Sequence, residues 1–337
     1  MLREARLVRT QFGCDPQALP DPVLCSNEPL VLKGLVSRWP MVQAAQHSDQ
    51  AAMRYLLEAY RGATVDAFFG APQFGGRFFY NDDVTGFNFH PERLKLDTVL
   101  HEMDRHAFDP QPPAIYVGSA AVDTCLPTFR SENALNMGSR NPLVSIWIGN
   151  RTRIAAHFDV PDNIACVAAG HRRFTLFAPE QLENLYVGPL ELTPAGQPIS
   201  LVDFANPDFQ KHPKFAEALK NAWVAELEPG DALFIPSMWW HHVEALDRFN
   251  VLVNYWWRQS PEYMDSPMTA LLAAIMSVRD LPPAQRKVWE HVFDHYVFHA
   301  NSETAAHIPE HARRILGPMD ADATRMLRAQ ILKRLNR

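Results

Sequence analysis

Two histidines and one aspartate in this sequence have the types and spacing of ligands to a divalent metal. His157 and Asp159 are separated by one residue in the segment AAHFDV, and the two-residue period of a strand would turn both side chains to one face. The segment WWHHVEAL supplies a further histidine, either His241 or His242. Two imidazoles and one carboxylate form the facial triad of non-haem Fe(II) oxygenases, which leaves coordination positions open for a co-substrate and oxygen.

The short His-x-Asp motif also has interpretations other than a site for Fe(II). On a surface strand the two side chains would only hydrogen-bond locally, and a histidine among tryptophans is often packed rather than metal-bound. A barrel that holds Mn or Zn for isomerisation or hydrolysis is a further alternative. The order of motifs favours a metal site, because His-x-Asp is followed by a Gly-x-Arg-Arg run, a Pro-Gly-Asp turn, Trp-Trp-His-His and an Asn-Tyr-Trp-Trp run.

Such ligands need a rigid scaffold, and the segment from Ala114 to Arg258 has the pattern of a β-rich one. Short apolar runs alternate there with Gly, Pro, Asn and Asp: AIYVG, VSIWIG, NIACVAAG, RRFTLFAP, ALFIP and NVLVNYWW. Many short strands without long helices between them predict a sandwich or barrel. Residues 200–224 interrupt the strands with prolines and an amphipathic stretch, which predicts an insertion that borders the site.

The two flanking regions have a different pattern. Residues 1–113 mix short apolar runs with a helical pattern from Asp49 to Tyr60, and after Arg258 helices are predicted at 266–278, 283–298 and 321–335. We therefore predict a mainly β protein with additional helices. Its regions would be an α+β region packed on the barrel (1–113), the barrel itself (114–258) and a C-terminal helical region (259–337).

The composition argues against several other classes of protein. The 337 residues are 47% hydrophobic, enough for a sizeable core, and the net charge of -6 gives no reason to expect nucleic acid or an anionic membrane as a partner. The four cysteines lie far apart without a Cys-x-x-Cys pair, which disfavours a disulfide framework or a structural zinc site. The N-terminal segment MLREARLVRT lacks a signal-peptide pattern, so we expect a cytoplasmic protein.

The run from Ile146 to Trp257, with the motifs given above, resembles the JmjC-type, cupin-like 2-oxoglutarate oxygenases. The similarity is greatest to the branch that includes the asparaginyl hydroxylase factor inhibiting HIF. The resemblance implies a double-stranded β-helix (cupin or jelly-roll) core, Fe(II) as cofactor, and 2-oxoglutarate and O2 as co-substrates. It also implies hydroxylation of a protein side chain and a homodimer formed through the C-terminal helices. Lysine demethylation, hydroxylation of a small molecule and a non-catalytic binding module stay open as alternatives.

The resemblance assigns roles to individual residues. Arg172 occupies the position of a family lysine that binds the distal carboxylate of 2-oxoglutarate, and Arg173 should face the other way. The full set comprises iron ligands His157, Asp159 and His241, co-substrate contacts Arg172, Tyr116, Asn163 and Asn254, and a pocket wall at Trp256. At one position the sequence departs from the family pattern, because Ile154 replaces a threonine that contacts the co-substrate. The substrate-binding residues of the hydroxylase have no match in the insertion, so the resemblance does not identify a substrate.

Overall fold

The computed structural model describes residues 5–336; residues 1–4, at the start of the N-terminal segment, and residue 337 lie outside the described range. Within that range the chain forms fifteen strands and ten α-helices. The strands are β1 (Arg6–Leu7), β2 (Thr10–Phe12), β3 (Leu30–Lys33), β4 (Thr64–Gly70), β5 (Arg77–Phe78), β6 (Phe89–Lys95), β7 (Ala114–Ala121), β8 (Leu143–Gly149), β9 (Arg153–His157), β10 (Asp162–Ala169), β11 (Arg172–Phe177), β12 (Trp223–Leu227), β13 (Ala232–Ile235), β14 (Trp240–Ala245) and β15 (Asn250–Trp257). The helices are α1 (Asp21–Leu24), α2 (Pro40–His47), α3 (Asp49–Ala59), α4 (Leu96–Arg105), α5 (Val122–Cys125), α6 (Pro127–Glu132), α7 (Phe215–Lys220), α8 (Pro267–Ser277), α9 (Pro283–Phe293) and α10 (Ala321–Leu335).

The eight strands β8–β15 form the barrel. One sheet contains the order β13-β10-β15-β8 and the other the order β12-β11-β14-β9, with antiparallel pairing between neighbours. The chain passes from one sheet to the other at each connection except β11 to β12, which is the topology of a jelly roll. The predicted fold class, a double-stranded β-helix core with added helices, is confirmed.

Strand β10 lies inside the first sheet, between β13 and β15, and is buried on both faces. Ile164 and Cys166 pack in an apolar cluster with residues of α2, α3 and α4. Ala165 and Val167 point the other way and pack against the second sheet, where Phe174 on β11 meets them. Alternate residues of β10 thus pack against the helices on one side and against the barrel interior on the other. This explains why the run is apolar at nearly every position.

Strands from the N-terminal region widen both sheets. β2 and β3 extend the first sheet beyond β13, and β7, β4 and β6 extend it beyond β8. β1 and β5 are the two edges of the second sheet. The predicted helix from Asp49 to Tyr60 corresponds to α3, whose N-terminal amide at Ala51 donates to the hydroxyl of Ser48.

Two details of the sequence analysis need correction. β9 ends at His157, so Asp159 lies after the strand and the two-residue period does not account for its position. The insertion between β11 and β12 runs from residue 178 to 222, so it starts earlier than the predicted residue 200. The reason is that its first half folds as 3-10 turns and bends, which lack a periodic signal.

The chain divides into two compact units, of which the first ends at Gln259. The second unit contains α8, α9 with a following π-helical segment (Asp294–Phe298), and α10, close to the predicted helices. The boundary between residues 113 and 114 falls inside the first unit and stays a prediction. Within residues 5–336, no helix combines the length and apolar character needed to cross a bilayer.

Candidate metal and co-substrate site

Strands β9 and β14 bring two histidines into register. His157, the last residue of β9, lies opposite His241 on β14. Their ring centroids are 4.3 Å apart, and His241 Nε2 lies 3.7 Å from Asp159 Oδ2. Ligand atoms of the three side chains lie within 4.8 Å of one another, and residues 5–336 contain no second cluster of three His, Cys, Asp or Glu side chains with this spacing. The spacing suits a single metal ion bound by all three.

Backbone carbonyls orient both imidazoles. His157 Nδ1 lies 2.9 Å from the carbonyl oxygen of Ala155, and His241 Nδ1 lies 3.0 Å from that of Trp239. Because a carbonyl only accepts, each Nδ1 carries the proton and donates, which leaves the Nε2 lone pair free for a metal. Burial, together with the neighbouring His157, lowers the pKa of His241 to about 4, so this imidazole is neutral at ordinary pH.

His242, the next residue of β14, points away from this cluster. Its ring stacks on Phe204 of the insertion with centroids 4.6 Å apart, and its buried Nδ1 has no hydrogen-bond partner. Burial and the nearby Arg153 lower the pKa of His242 to about 3. His242 therefore packs as a neutral ring beneath the insertion.

Arg172 is a buried cation without an acidic partner. Its side chain is among the largest fully buried ones, its Nε has no hydrogen bond, and no ion pair of Arg172 occurs within residues 5–336. Burial lowers the pKa of Arg172 to about 10. The next residue, Arg173, faces outward, where its Nε donates to Glu226 at 2.9 Å. A buried guanidinium that lacks a counter-ion is an unfavourable arrangement unless an anion binds beside it.

Three further polar side chains surround this position. Tyr116 on β7 is partly buried, and desolvation raises the pKa of its phenol. Asn254 on β15 donates from Nδ2 to Asn163 Oδ1 on β10 at 2.9 Å, while the buried Oδ1 of Asn254 has no partner. The amide pair therefore retains unused hydrogen-bonding capacity beside the metal-ligand cluster.

One cavity of about 400 Å³ brings all the predicted site residues together. Its wall includes Tyr116, His157, Asp159, Asn163, Arg172, His241, Asn254 and Trp256. Ile154 also lines it, so the residue that departs from the family pattern makes this wall more apolar. The roles of these residues toward iron and 2-oxoglutarate stay predictions.

The cavity wall also contains residues that were not predicted from the sequence. Phe68, Phe78 and Phe89 come from β4, β5 and β6 of the N-terminal region, and Gln197 and Ile199 come from the insertion. No local pattern marks the three phenylalanines, because only tertiary pairing of β4, β5 and β6 brings them to the barrel. Residues 200–224, predicted to border the site, contribute none of its lining side chains.

A family model described as a cupin-like domain matches residues 16–263, well over half of the chain. The chain belongs to this cupin-like domain family. Two of the similar proteins match over most of the chain. The lysine-specific demethylase JMJ31 of Arabidopsis thaliana is 24% identical over 277 residues, which is 72% of this chain and 49% of that protein. The Jumonji C domain-containing protein 5 of Drosophila melanogaster is 25% identical over 264 residues, 74% of this chain and 62% of that protein.

A shorter match is closer in sequence. The tRNA wybutosine-synthesizing protein 5 of Gallus gallus is 37% identical over 105 residues, 31% of this chain and 30% of that protein. The cupin-like chain thus spans between about a third and two thirds of the length of these relatives. Similarity to JmjC proteins agrees with the predicted resemblance, whereas placement in the asparaginyl hydroxylase branch stays a prediction.

Proposed function

We propose that this cupin-like protein is an Fe(II)- and 2-oxoglutarate-dependent oxygenase that hydroxylates a side chain of a protein substrate. The observation that supports it most is Arg172, a fully buried guanidinium with no acidic partner among residues 5–336, in the same cavity as His157, Asp159 and His241. A metal site alone does not need a buried cation nearby, but a dicarboxylate co-substrate does.

The donor set fits Fe(II). Two neutral imidazoles and one carboxylate leave part of the coordination shell open, which suits a redox-active ion that must bind further molecules. His157, Asp159 and His241 would hold the ion. Bound iron would supply the reaction of O2 with both substrates, in which one oxygen atom enters succinate as 2-oxoglutarate loses carbon dioxide and the other converts a substrate C–H bond to C–OH.

The other residues of the cavity position the co-substrate. Arg172 would donate two parallel hydrogen bonds to the distal carboxylate, and the Tyr116 phenol would contribute to the same end of the co-substrate. Asn163 and Asn254 would supply amide groups from the same cavity wall. Apolar walls that include Ile154 exclude water, which strengthens the attraction between guanidinium and carboxylate.

Lysine demethylation is the second candidate. It uses the same hydroxylation of a C–H bond, followed by loss of formaldehyde, and the name of the Arabidopsis relative supports it. The two reactions differ in product, since a hydroxylated protein gains one oxygen atom and a demethylated one loses a methyl group. Mass spectrometry of a proteome treated with wild-type protein or with the His157→Ala variant distinguishes them.

Anaerobic titration tests the oxygenase activity itself. Addition of Fe(II) and then 2-oxoglutarate should produce a weak visible charge-transfer band, and later admission of oxygen should produce succinate. Succinate in place of 2-oxoglutarate is the control, because it lacks the 2-oxo group that chelates the metal. Absence of both the band and succinate formation would rule out the proposed activity.

We also propose that the second unit pairs with a second copy of the chain. Only Ala305 is buried among residues 260–336, and α8 has no charged residue and exposes Leu271, Leu272 and Met276. A helix that is apolar on all sides is normally covered. A second copy presents the same uncharged surface, so a symmetric pairing covers both helices.

Replacement of Leu272 by glutamate should convert dimers to monomers. A charge at the centre of an apolar contact typically weakens association by about 2 kcal/mol or more, roughly a 30-fold increase in the dissociation constant. Leu182→Glu, at an exposed leucine of the first unit, is the matched control. Analytical ultracentrifugation measures the result, and a wild-type monomer at all concentrations would contradict the pairing.

A further inference from the structure

The carboxylate of Asp159 is held by a hydrogen bond to a tryptophan. Trp256 Nε1 donates to Asp159 Oδ2 at 3.2 Å. Asp159 follows the end of β9, so no strand ladder fixes its side chain. The backbone there is held by the amide of Met238, which donates to the carbonyl oxygen of Asp159 at 2.8 Å.

Strand pairing and ring contacts fix the position of Trp256. It lies near the end of β15, paired in register with Asn163 on β10 and Leu143 on β8. Its ring meets Trp147 edge-on, with centroids 5.8 Å apart and an interplanar angle of 86°, and Trp147 stacks on Tyr116 at 5.7 Å. An indole N–H only donates, so the direction of the hydrogen bond is unambiguous.

Free carboxylates bind metals through one oxygen or through both. An oxygen that already accepts a hydrogen bond has one lone pair fewer to offer, and a fixed hydrogen bond also stops rotation of the carboxylate plane. Partners of this kind typically change metal affinity by about 10- to 100-fold. In this site the accepting oxygen, Oδ2, is also the one that lies 3.7 Å from His241 Nε2, so the hydrogen bond fixes the orientation in which the carboxylate faces the two histidines.

We propose that Trp256 is a positioning residue whose indole N–H holds the Asp159 carboxylate in the orientation that binds the metal. This inference rests on the proposed metal site, and it adds to the predicted role of Trp256 as a wall of the pocket. The aromatic contacts through Trp147 to Tyr116 also connect the metal ligand with the Arg172 end of the cavity.

Trp256→Phe tests the inference, because it keeps a ring against Trp147 and removes the N–H donor. The probe is Co(II) alone, whose visible absorption reports coordination number. We expect the variant to bind Co(II) about tenfold more weakly and to show an altered absorption spectrum. Trp257→Phe is the matched control, since the neighbouring indole N–H is buried and makes no hydrogen bond.

The melting temperature of each protein is also measured with and without Co(II). The increase that Co(II) produces reports metal binding separately from any loss of stability that the substitution causes in the metal-free protein. Equal Co(II) affinity and spectra in wild type, Trp256→Phe and Trp257→Phe would overturn the inference and leave the metal site intact. Failure of the wild-type protein to bind Co(II) would overturn both the inference and the metal site.

Discussion

Replacement of Arg172 by methionine should weaken 2-oxoglutarate binding roughly 100-fold or more, while the protein without ligands remains as stable as the wild type or becomes more stable. The guanidinium is buried, its Nε has no partner, and burial lowers its pKa to about 10, so the protonated form costs free energy in the folded state. Methionine fills much of the same volume without a charge. Removal of one partner of a buried charge pair typically costs about 2–5 kcal/mol, so the dissociation constant of 2-oxoglutarate should rise roughly 100-fold or more.

Arg173→Met is the matched control for this experiment. Arg173 lies one residue further on β11 but faces outward, paired with Glu226 and Glu244. Its replacement should leave 2-oxoglutarate binding unchanged, with at most a small loss of stability, as is usual for exposed ion pairs. Thermal unfolding without ligands and isothermal titration with 2-oxoglutarate under anaerobic conditions give the two readouts. If Arg172→Met binds 2-oxoglutarate normally, the buried guanidinium does not bind this co-substrate and its partner is a different anion.

Replacement of His241 by alanine should eliminate metal binding, whereas replacement of His242 by phenylalanine should leave it nearly unchanged. The two residues are adjacent on β14, but His241 faces Asp159 and His242 stacks on Phe204. Phenylalanine preserves that stacking, and the Nδ1 of His242 has no hydrogen bond to lose. We expect at least about a 100-fold loss of metal affinity for His241→Ala. This exceeds the usual effect of removing a residue that only hydrogen-bonds to a metal ligand.

Titration with Co(II) and with Fe(II) under anaerobic conditions measures both variants. The reverse outcome, with loss of metal in His242→Phe and retention in His241→Ala, would assign the third ligand to the other histidine of the pair. Circular dichroism confirms that each variant is folded before its affinity is interpreted.

The barrel was predictable because its strands have local signals. Runs such as NIACVAAG are apolar on both strand faces, and the structure places Ile164 and Ala165 in different clusters on opposite sides of β10. The opposite orientations predicted for Arg172 and Arg173 follow from the same two-residue period. The position of Asp159 was derived from that period as well, but the residue lies beyond the end of β9, and the loop brings it to the histidines instead.

Contacts between distant parts of the chain were not predictable from such signals. The hydrogen bond from Trp256 to Asp159 joins residues 97 positions apart, and it depends on how β15 pairs with β10. Phe68 and Phe89 reach the cavity wall through the pairing of β4 with β6 and β7, which no periodic pattern of a single segment encodes. Local sequence therefore predicts the elements and their faces, and the tertiary arrangement determines which faces meet.

The origin of the cavity wall has a consequence for how such a protein can change. Phe68, Phe78, Phe89 and Gln197 come from segments outside the eight barrel strands, whereas the His-Asp-His cluster and Arg172 come from strands of the barrel and the turn between β9 and β10. Substitution of the first four side chains leaves the backbone hydrogen bonds of the barrel ladders in place. The shape of this part of the wall and the ligand cluster are thus encoded in separate stretches of the polypeptide, so selection can act on the first without disturbing the second.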